Sequence, residues 1–253
     1  MTGNYYDTDR AVAEYLLFHY CLTEPLVPAG LSLAAALDFP VRCVTECVDV
    51  SLLPARARAL DLGCAVGRAS FELARRCTEV VGIDYSDRFI KVAEHLKTNG
   101  SFLFGCVEQG DLSQPCQAVV SAEIDRRRVT FEQGDALNLR PDLGRFDVVL
   151  MANLIDRLRD PHQCLKRLPA LLNSGGQLII TSPYTWLEDY TPRPNWLGGF
   201  EQFGRRINTL DSLKDILAPN FQFAFCQDMP FLIREHARKF QLCIAEASIW
   251  LRK

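Results

Sequence analysis

The stretch "RALDLGCAVGRAS", residues 58–70, decides the fold class. An apolar run of strand length, Arg58–Cys64, carries Asp61 and breaks at Gly63; Gly67 follows, and Arg68 opens a helix-like pattern. A strand running through a glycine turn into a helix is the first unit of a parallel sheet, because a parallel neighbour is reached only by a crossover. The turn reads Gly63-Cys64-Ala65-Val66-Gly67, GxxxG rather than the GxGxxG of a pyrophosphate loop. Glycine lets the backbone bend sharply and lets a ligand approach without a Cβ in the way. Ala65 narrows this turn by one methyl group, which a ligand without a pyrophosphate accepts more easily.

Outward from this turn the same rhythm repeats. Strand-length apolar runs recur at Val80–Tyr85, Val129–Gly134, Phe146–Ala152 and Gln177–Ser182. Helical patterns lie between them: 68–77; 86–100, with a Ser86 cap and a Gly100 stop; and 160–176, with Pro161 at its start and a Gly-Gly stop. Pro169 should kink or split the last of these. The tail differs. Two strand-like runs, 220–229 and 241–253, are joined by "PFLIREHARKF", too short for a crossover with a full helix, so an antiparallel final strand is expected. The fold class is therefore α/β: a Rossmann-like doubly wound sheet, mostly parallel with an antiparallel last strand, plus N-terminal helices. One domain spans 1–253. Residues 1–50 form a helical lid, and 57–253 form the core, with insertions at 99–127 (a short hairpin) and 184–208.

Composition narrows the function classes. The chain has 253 residues, 48% hydrophobic and 23% charged, with a formal charge of −3. A sequence-independent grip on nucleic acid needs a basic face, and Arg126-Arg127-Arg128 is the one dense basic cluster, read as a solvated loop. Ten cysteines lie mostly in apolar runs with no CxxC pair, which suits reduced thiols in a cytoplasmic protein. Cys43 and Cys47 are one helical turn apart, but no further pair completes four ligands, so no metal is expected. No apolar run is long enough to span a membrane.

In an open parallel sheet the ligand sits at the carboxyl ends of the strands, where strand order reverses. Four consecutive ends carry suitable groups. The first is the Asp61-to-Gly67 turn, with Gly63, Cys64, Ala65 and Gly67. The second is Asp84-Tyr85, an acid placed to accept two ribose hydroxyls. The third is Asp135-Ala136, whose carboxylate and following amide suit an adenine edge. The fourth is "ANLIDR", with Asn153 and Asp156. Together they describe an S-adenosylmethionine site.

The turn "LDLGCAVGRASFELA", with "VVGIDYS" and "FEQGDALNL", resembles class I S-adenosylmethionine-dependent methyltransferases over about residues 57–250. More narrowly, "YYDTDRAVAEYLLFHY", "GCAVGRASFELAR", "SFLFGCVEQGDL", "FEQGDALNL" and "DMPFLIREHARKFQ" together resemble the methyltransferase of ovothiol biosynthesis, 4-mercaptohistidine N1-methyltransferase, in which Ala65 is the usual residue. That family usually forms the C-terminal part of a bifunctional 5-histidylcysteine sulfoxide synthase. The resemblance implies methylation of the side-chain-proximal imidazole nitrogen of 5-thiohistidine to give ovothiol A. It also implies an iron-dependent sulfoxide synthase as pathway or fusion partner, absent from this chain. The alternatives are another small amine, thiol or carboxylate acceptor, or a cofactor-binding module without catalysis.

Such a transfer needs alignment more than proton chemistry, and a zwitterionic acceptor needs a cation for its carboxylate and an acid for its ammonium. The candidate catalytic side chains are Asp156, Tyr6 and His19. The candidate acceptor contacts are Tyr5, Tyr6, Arg10, Asn153, Asp156, Tyr184, Trp186, Arg234 and His236. His95 and His162 are expected on helix surfaces.

Overall fold

The computed structural model describes residues 5–21 and 33–253. In chain order its main elements are α1 (Asp9–Leu16), α2 (Phe39–Thr45), β1 (Arg58–Leu62), α3 (Arg68–Leu73), β2 (Glu79–Asp84) and α4 (Asp87–Asn99). Then come β3 (Ser101–Gln109), β4 (Leu112–Val119), β5 (Val129–Gln133), β6 (Phe146–Ala152), α5 (Pro161–Leu171) and β7 (Leu172–Ser182). The chain ends with β8 (Phe200–Gln202), β9 (Arg205–Ile207), α6 (Thr209–Leu217), β10 (Phe221–His236) and β11 (Lys239–Arg252).

Seven strands form the central sheet in the order β5-β2-β1-β6-β7-β11-β10. β5, β2, β1, β6 and β7 are parallel to their neighbours, whereas β11 is antiparallel to both β7 and β10. The order reverses between β1 and β6, so the crevice at their carboxyl ends is the ligand position of an open α/β sheet. One sheet face packs against α2, α3 and α4 through Phe39, Phe71, Phe89 and Leu96. The other packs against α5 and α6 through Leu165, Leu168, Leu213 and Leu217. α4 shows why the local sequence chooses its element. The Ser86 hydroxyl caps the Phe89 amide, Gly100 ends the helix in the left-handed region, and Phe89, Ile90, Val92, Ala93 and Leu96 bury one face.

Several expectations need correction. α5 is one unbroken helix: Pro169 lies in its last turn, where a missing amide costs a single hydrogen bond. Gly175 and Gly176 do not stop that helix. They lie inside β7, which begins at Leu172, and the pairing with β6 shifts register beside them. α3 ends at Leu73, short of Cys77. The segment 230–240 is not a connection; most of it is strand, in a hairpin that pairs without a long loop from Phe221↔Arg252 to His236↔Lys239.

That hairpin positions the site. β7 pairs only as far as Ser182↔Glu246, so Met229–His236 and Lys239–Ala245 project beyond the carboxyl edge of the sheet. Their apolar faces find partners there. Phe231 packs 5.8 Å from the Phe18 ring and 4.9 Å from Phe39, and the Arg42 guanidinium donates to the Pro230 carbonyl. The insertion 99–127 is the expected hairpin, β3–β4, and it closes on the same overhang through the Ala237 amide to the Glu108 carbonyl. α1 continues as a π-helix, Leu17–Cys21, from which the Cys21 thiol meets the Gln117 carbonyl of β4. The N-terminal helix, the β3–β4 hairpin and the β10–β11 overhang thus interlock into one cap over the ligand edge. In the second insertion, 184–208, a 3-10 turn (Arg193–Asn195) precedes the small β8–β9 hairpin.

Candidate active site

The turn after β1 is built from left-handed residues: Gly63 at φ +81°, Ala65 at +46° and Gly67 at +83°. Both glycines are demanded by the protein itself. A Cβ on Gly67 would stand 2.5 Å from the Phe131 ring, and one on Gly63 would press on Leu154 at 3.0 Å. Ala65 takes a conformation costing an L-residue roughly 1–2 kcal/mol, and Asp84 holds it there: Oδ2 accepts the Ala65 amide at 2.9 Å while Oδ1 accepts Ser86. Burial raises Asp84 to about 6 against the pull of these amides. Asp61 lies deeper, in β1, accepting the Ser70 hydroxyl at 2.6 Å; burial raises it to about 7. It braces α3 against the turn. Cys64 is buried beside it.

Farther along the edge, Asp135 accepts the Leu137 amide at 2.8 Å with Oδ1, Ala136 is nearly buried, and Tyr85 is 65% exposed. Asn153 is left-handed at φ +51°, with its side-chain oxygen taken by Thr181. These groups form a continuous edge of carboxylates, turn amides and glycines. An adenosine with a methionine tail matches it: Asp84 and Asp135 supply acceptors, and the turn has no Cβ at Gly63 or Gly67.

The N-terminal segment closes over this edge. The Ser86 hydroxyl lies 2.7 Å from Asp7 Oδ1 and 3.0 Å from the Tyr6 carbonyl, fastening the 3-10 turn Tyr5–Asp7 to the end of β2. Tyr6 is half-buried beside Tyr15, Phe89 and Tyr190, and its hydroxyl meets Arg157 and Tyr190; burial pushes it up to about 12. Tyr15 bridges the two halves of the site. It is raised by burial, by Tyr6 and by the Asp84 charge, and lowered by Arg157. The Tyr5 side chain lies outside the described residues.

Other candidates fall elsewhere. His19 is buried in the π-helix. Burial, helped by Arg68, lowers it to about 3, so it is a neutral imidazole too weakly basic to take a proton at neutral pH. Asp156 is sealed from solvent, its Oδ2 accepting Arg157 Nη1 at 2.9 Å and the Thr185 amide at 3.0 Å. It does not offer an open carboxylate; it orients Arg157. Arg10 is on the surface, 62% exposed, paired with Glu14 and Glu235. Arg234 is buried and points at Cys106 Sγ, 3.5 Å away. His236 caps the hairpin turn at Arg238. Trp186 stacks on Trp196 and donates to Thr209, and Tyr184 donates to Glu246 at 2.8 Å. Both line a cavity of about 420 Å³ at the mouth of α6. Among the described residues, the buried polar side-chain atoms without a hydrogen-bond partner are His19 Nδ1, Asp156 Oδ1 and Arg234 Nε. All three belong to candidate catalytic or acceptor-contact residues, although the Ser182 hydroxyl is close enough to Asp156 to favour its charge.

Sequence reasoning missed Arg157, Tyr190 and Tyr15. Arg157 stood in plain view in "ANLIDR", one residue past Asp156. Tyr190 ends the aromatic run "WLEDY", and only the packed N-terminal segment reveals Tyr15 as a bridge.

Residues 60–180 match the family model described as methyltransferase domain. Among similar proteins, a ubiquinone biosynthesis O-methyltransferase of Coxiella burnetii (strain RSA 493 / Nine Mile phase I) is 25% identical over 155 residues, 61% of this chain and 55% of that protein. Ajmaline N-methyltransferase of Rauvolfia serpentina is 26% identical over 124 residues, 49% of this chain and 35% of that one. The chain thus spans about half the length, or less, of these relatives. Among solved structures, the [4+2]-cyclase SpnF matches with a TM-score of 0.57 at 17% identity, covering 96% of this chain and 93% of that one. The N-methyltransferase NodS of Bradyrhizobium japonicum WM9, in complex with S-adenosyl-L-homocysteine, matches with a TM-score of 0.51 at 14% identity, covering 95% and 98%. These structural likenesses speak for the fold. The strand ends built around Asp84 and Asp135 thus lie within the stretch that matches a methyltransferase domain, on the class I methyltransferase fold, and S-adenosylmethionine is the cofactor that fits them.

Proposed function

We propose that the protein transfers a methyl group from S-adenosylmethionine to the side-chain-proximal imidazole nitrogen of 5-thiohistidine, yielding ovothiol A. One observation carries the narrow assignment. Three of the five stretches that resemble the ovothiol methyltransferase family, beginning at Tyr5, Ser101 and Asp228, are far apart in sequence and lie outside the cofactor turn. They meet in a single cap through Phe18–Phe231, Arg234–Cys106 and Ala237–Glu108. Segments that share one job, enclosing one acceptor, have reason to be packed together.

The cofactor supplies an electrophilic methyl group on a sulfonium. The chain's own residues then have to bind, orient and exclude water. Asp84 and Asp135 suit the ribose and the adenine. Tyr6, protonated at neutral pH, has its hydroxyl held by Arg157 and Tyr190 at the acceptor side. An acceptor entering as its thiolate needs no base, because attack by the ring nitrogen leaves a neutral product. A neutral His19 that takes no proton is compatible with that chemistry. Alignment is the larger contribution, up to roughly 7–11 kcal/mol in favourable cases.

The thiohistidine must come from an enzyme that forms its C–S bond. The iron-dependent sulfoxide synthase is the partner we propose, as a separate protein or a fused one. All ten cysteines are free thiols, which suits a reducing cytoplasm. A different small acceptor is the second choice, favoured by relatives named as O-methyltransferases. The test is mass spectrometry of acceptor incubated with protein and S-adenosylmethionine. 5-Thiohistidine should gain one methyl group; turnover of another acceptor with none of thiohistidine would overturn the assignment.

A further inference from the structure

The acceptor side of the site presents one cation whose hydrogen-bonding capacity the fold leaves half used. Arg157 spends a single nitrogen, Nη1, on its own framework, donating to the Asp156 carbonyl at 3.0 Å, to Asp156 Oδ2 at 2.9 Å and to the Thr185 carbonyl at 3.0 Å. Tyr190 covers one face of the guanidinium at 4.9 Å, and the Tyr6 hydroxyl lies against it. Beyond the Tyr6 hydroxyl, Nε and Nη2 meet no carbonyl or carboxylate among the described residues, and the side chain is 25% exposed. A fork fixed at one corner, whose other nitrogens meet only a tyrosine hydroxyl, can turn an N–H pair to a carboxylate.

Its surroundings put this edge beside the acceptor. Arg157 acts on Tyr6, on Tyr15, which also feels Asp84, and on the Cys243 thiol of the β10–β11 overhang. It packs on Tyr190, whose ring lies 6.1 Å from that of Tyr6, and so adjoins the N-terminal segment that closes over the end of β2. The other arginines of this region are paired or buried. Arg10 pairs with Glu14 and Glu235 at the surface, Arg68 pairs with Glu72, and Arg234 is turned toward Cys106. Asp156 behind Arg157 offsets its positive charge, which favours a monoanion over a phosphate.

We propose that Arg157 is the acceptor-binding residue that takes a carboxylate, so the acceptor class is a small, carboxylate-bearing molecule such as an amino acid. The assignment rests on the methyl-transfer function proposed above and adds what holds the acceptor's far end. Asp156 is then a positioning residue for Arg157.

The test separates this from the identity of the acceptor. Calorimetry measures L-histidine and histamine, which differ by the carboxylate, on protein loaded with S-adenosyl-L-homocysteine. Turnover is measured on 5-thiohistidine and its decarboxylated counterpart. Wild type should prefer the carboxylate-bearing member of each pair tenfold or more. Arg157→Lys, which keeps the charge but loses the fork, and Arg157→Gln should erase the preference, mainly through KM, with S-adenosyl-L-homocysteine affinity unchanged. A wild-type protein without the preference overturns the assignment. So do variants that weaken both members equally or weaken the cofactor product in parallel. If thiohistidine is not methylated but the histidine preference exists and vanishes in both variants, Arg157 stands and the ovothiol assignment falls.

Discussion

Asp84 receives the Ala65 amide on one oxygen and the Ser86 amide on the other, and those two bonds join three features that the sequence shows separately: the turn, the acid and the helix cap. A ribose bound there meets a carboxylate already aimed by two amides. Replacing Asp84 with Ala should weaken cofactor binding by roughly 1–3 kcal/mol, the range for removing a buried hydrogen-bonding partner; unchanged affinity by calorimetry would refute its ribose role. Because burial raises Asp84 to about 6 and ribose hydroxyls donate to the ionised form, cofactor affinity should climb as pH rises through about 6 and level off above it. Asp84→Asn should flatten that dependence. At this scale the acids and glycines were legible, because a turn of this chemistry tolerates few residue types. Arg157 was not, because an arginine after a strand end looks the same whether it faces solvent or a ligand.

Elements were legible where their period was clean. β6 begins and ends where the apolar run does, and Ser86 and Gly100 bound α4 as its sequence indicates. The failures share one cause, tertiary packing that overrides a local signal. "PFLIREHARKF" reads as a connection because Arg234, Glu235 and His236 interrupt its apolar pattern. It is strand up to His236 because β11 pairs with most of that stretch and the cap buries Phe231 and Leu232. The β2–α4 junction tests the lid. Ser86 both caps α4 and fastens the N-terminal turn, so Ser86→Ala should cost about 1 kcal/mol for the cap and lower Tm by roughly 2–4 °C in a chain of this size. Proteolysis at Arg10 should accelerate at the same time. A lower Tm with no change in cleavage there would separate the cap from the fastening.

Across the whole molecule, carboxylates buried at the ligand edge set how stability varies with pH. Asp61 and Asp84, at about 7 and 6, stand above the ordinary aspartate value, so the folded protein binds more protons than the unfolded chain between about pH 4 and 7. Their stabilising contribution is full below about pH 4 and is lost as pH rises through 6 and 7. His19, lowered to about 3, works the other way between about pH 3 and 6.5, because only the unfolded chain protonates it. Two groups outweigh one, so the cofactor-free protein should lose stability from about pH 4 to 7, and Asp61→Asn should flatten the upper part of that decline. Thermal melts across this range measure both; stability rising steadily to pH 7 would contradict the buried-acid assignment. The doubly wound core was legible because strand and helix alternate through most of it. The cap was not, because its three parts are far apart in sequence and only the closed fold brings them together. The most direct measurement is to supply S-adenosylmethionine labelled with ¹³C in its methyl group together with 5-thiohistidine, and to locate the label by NMR. Methyl transfer as proposed gives an N–¹³CH₃ signal on the side-chain-proximal ring nitrogen, with one S-adenosyl-L-homocysteine formed per label; bound cofactor with the label unmoved, or label on sulfur, would contradict it.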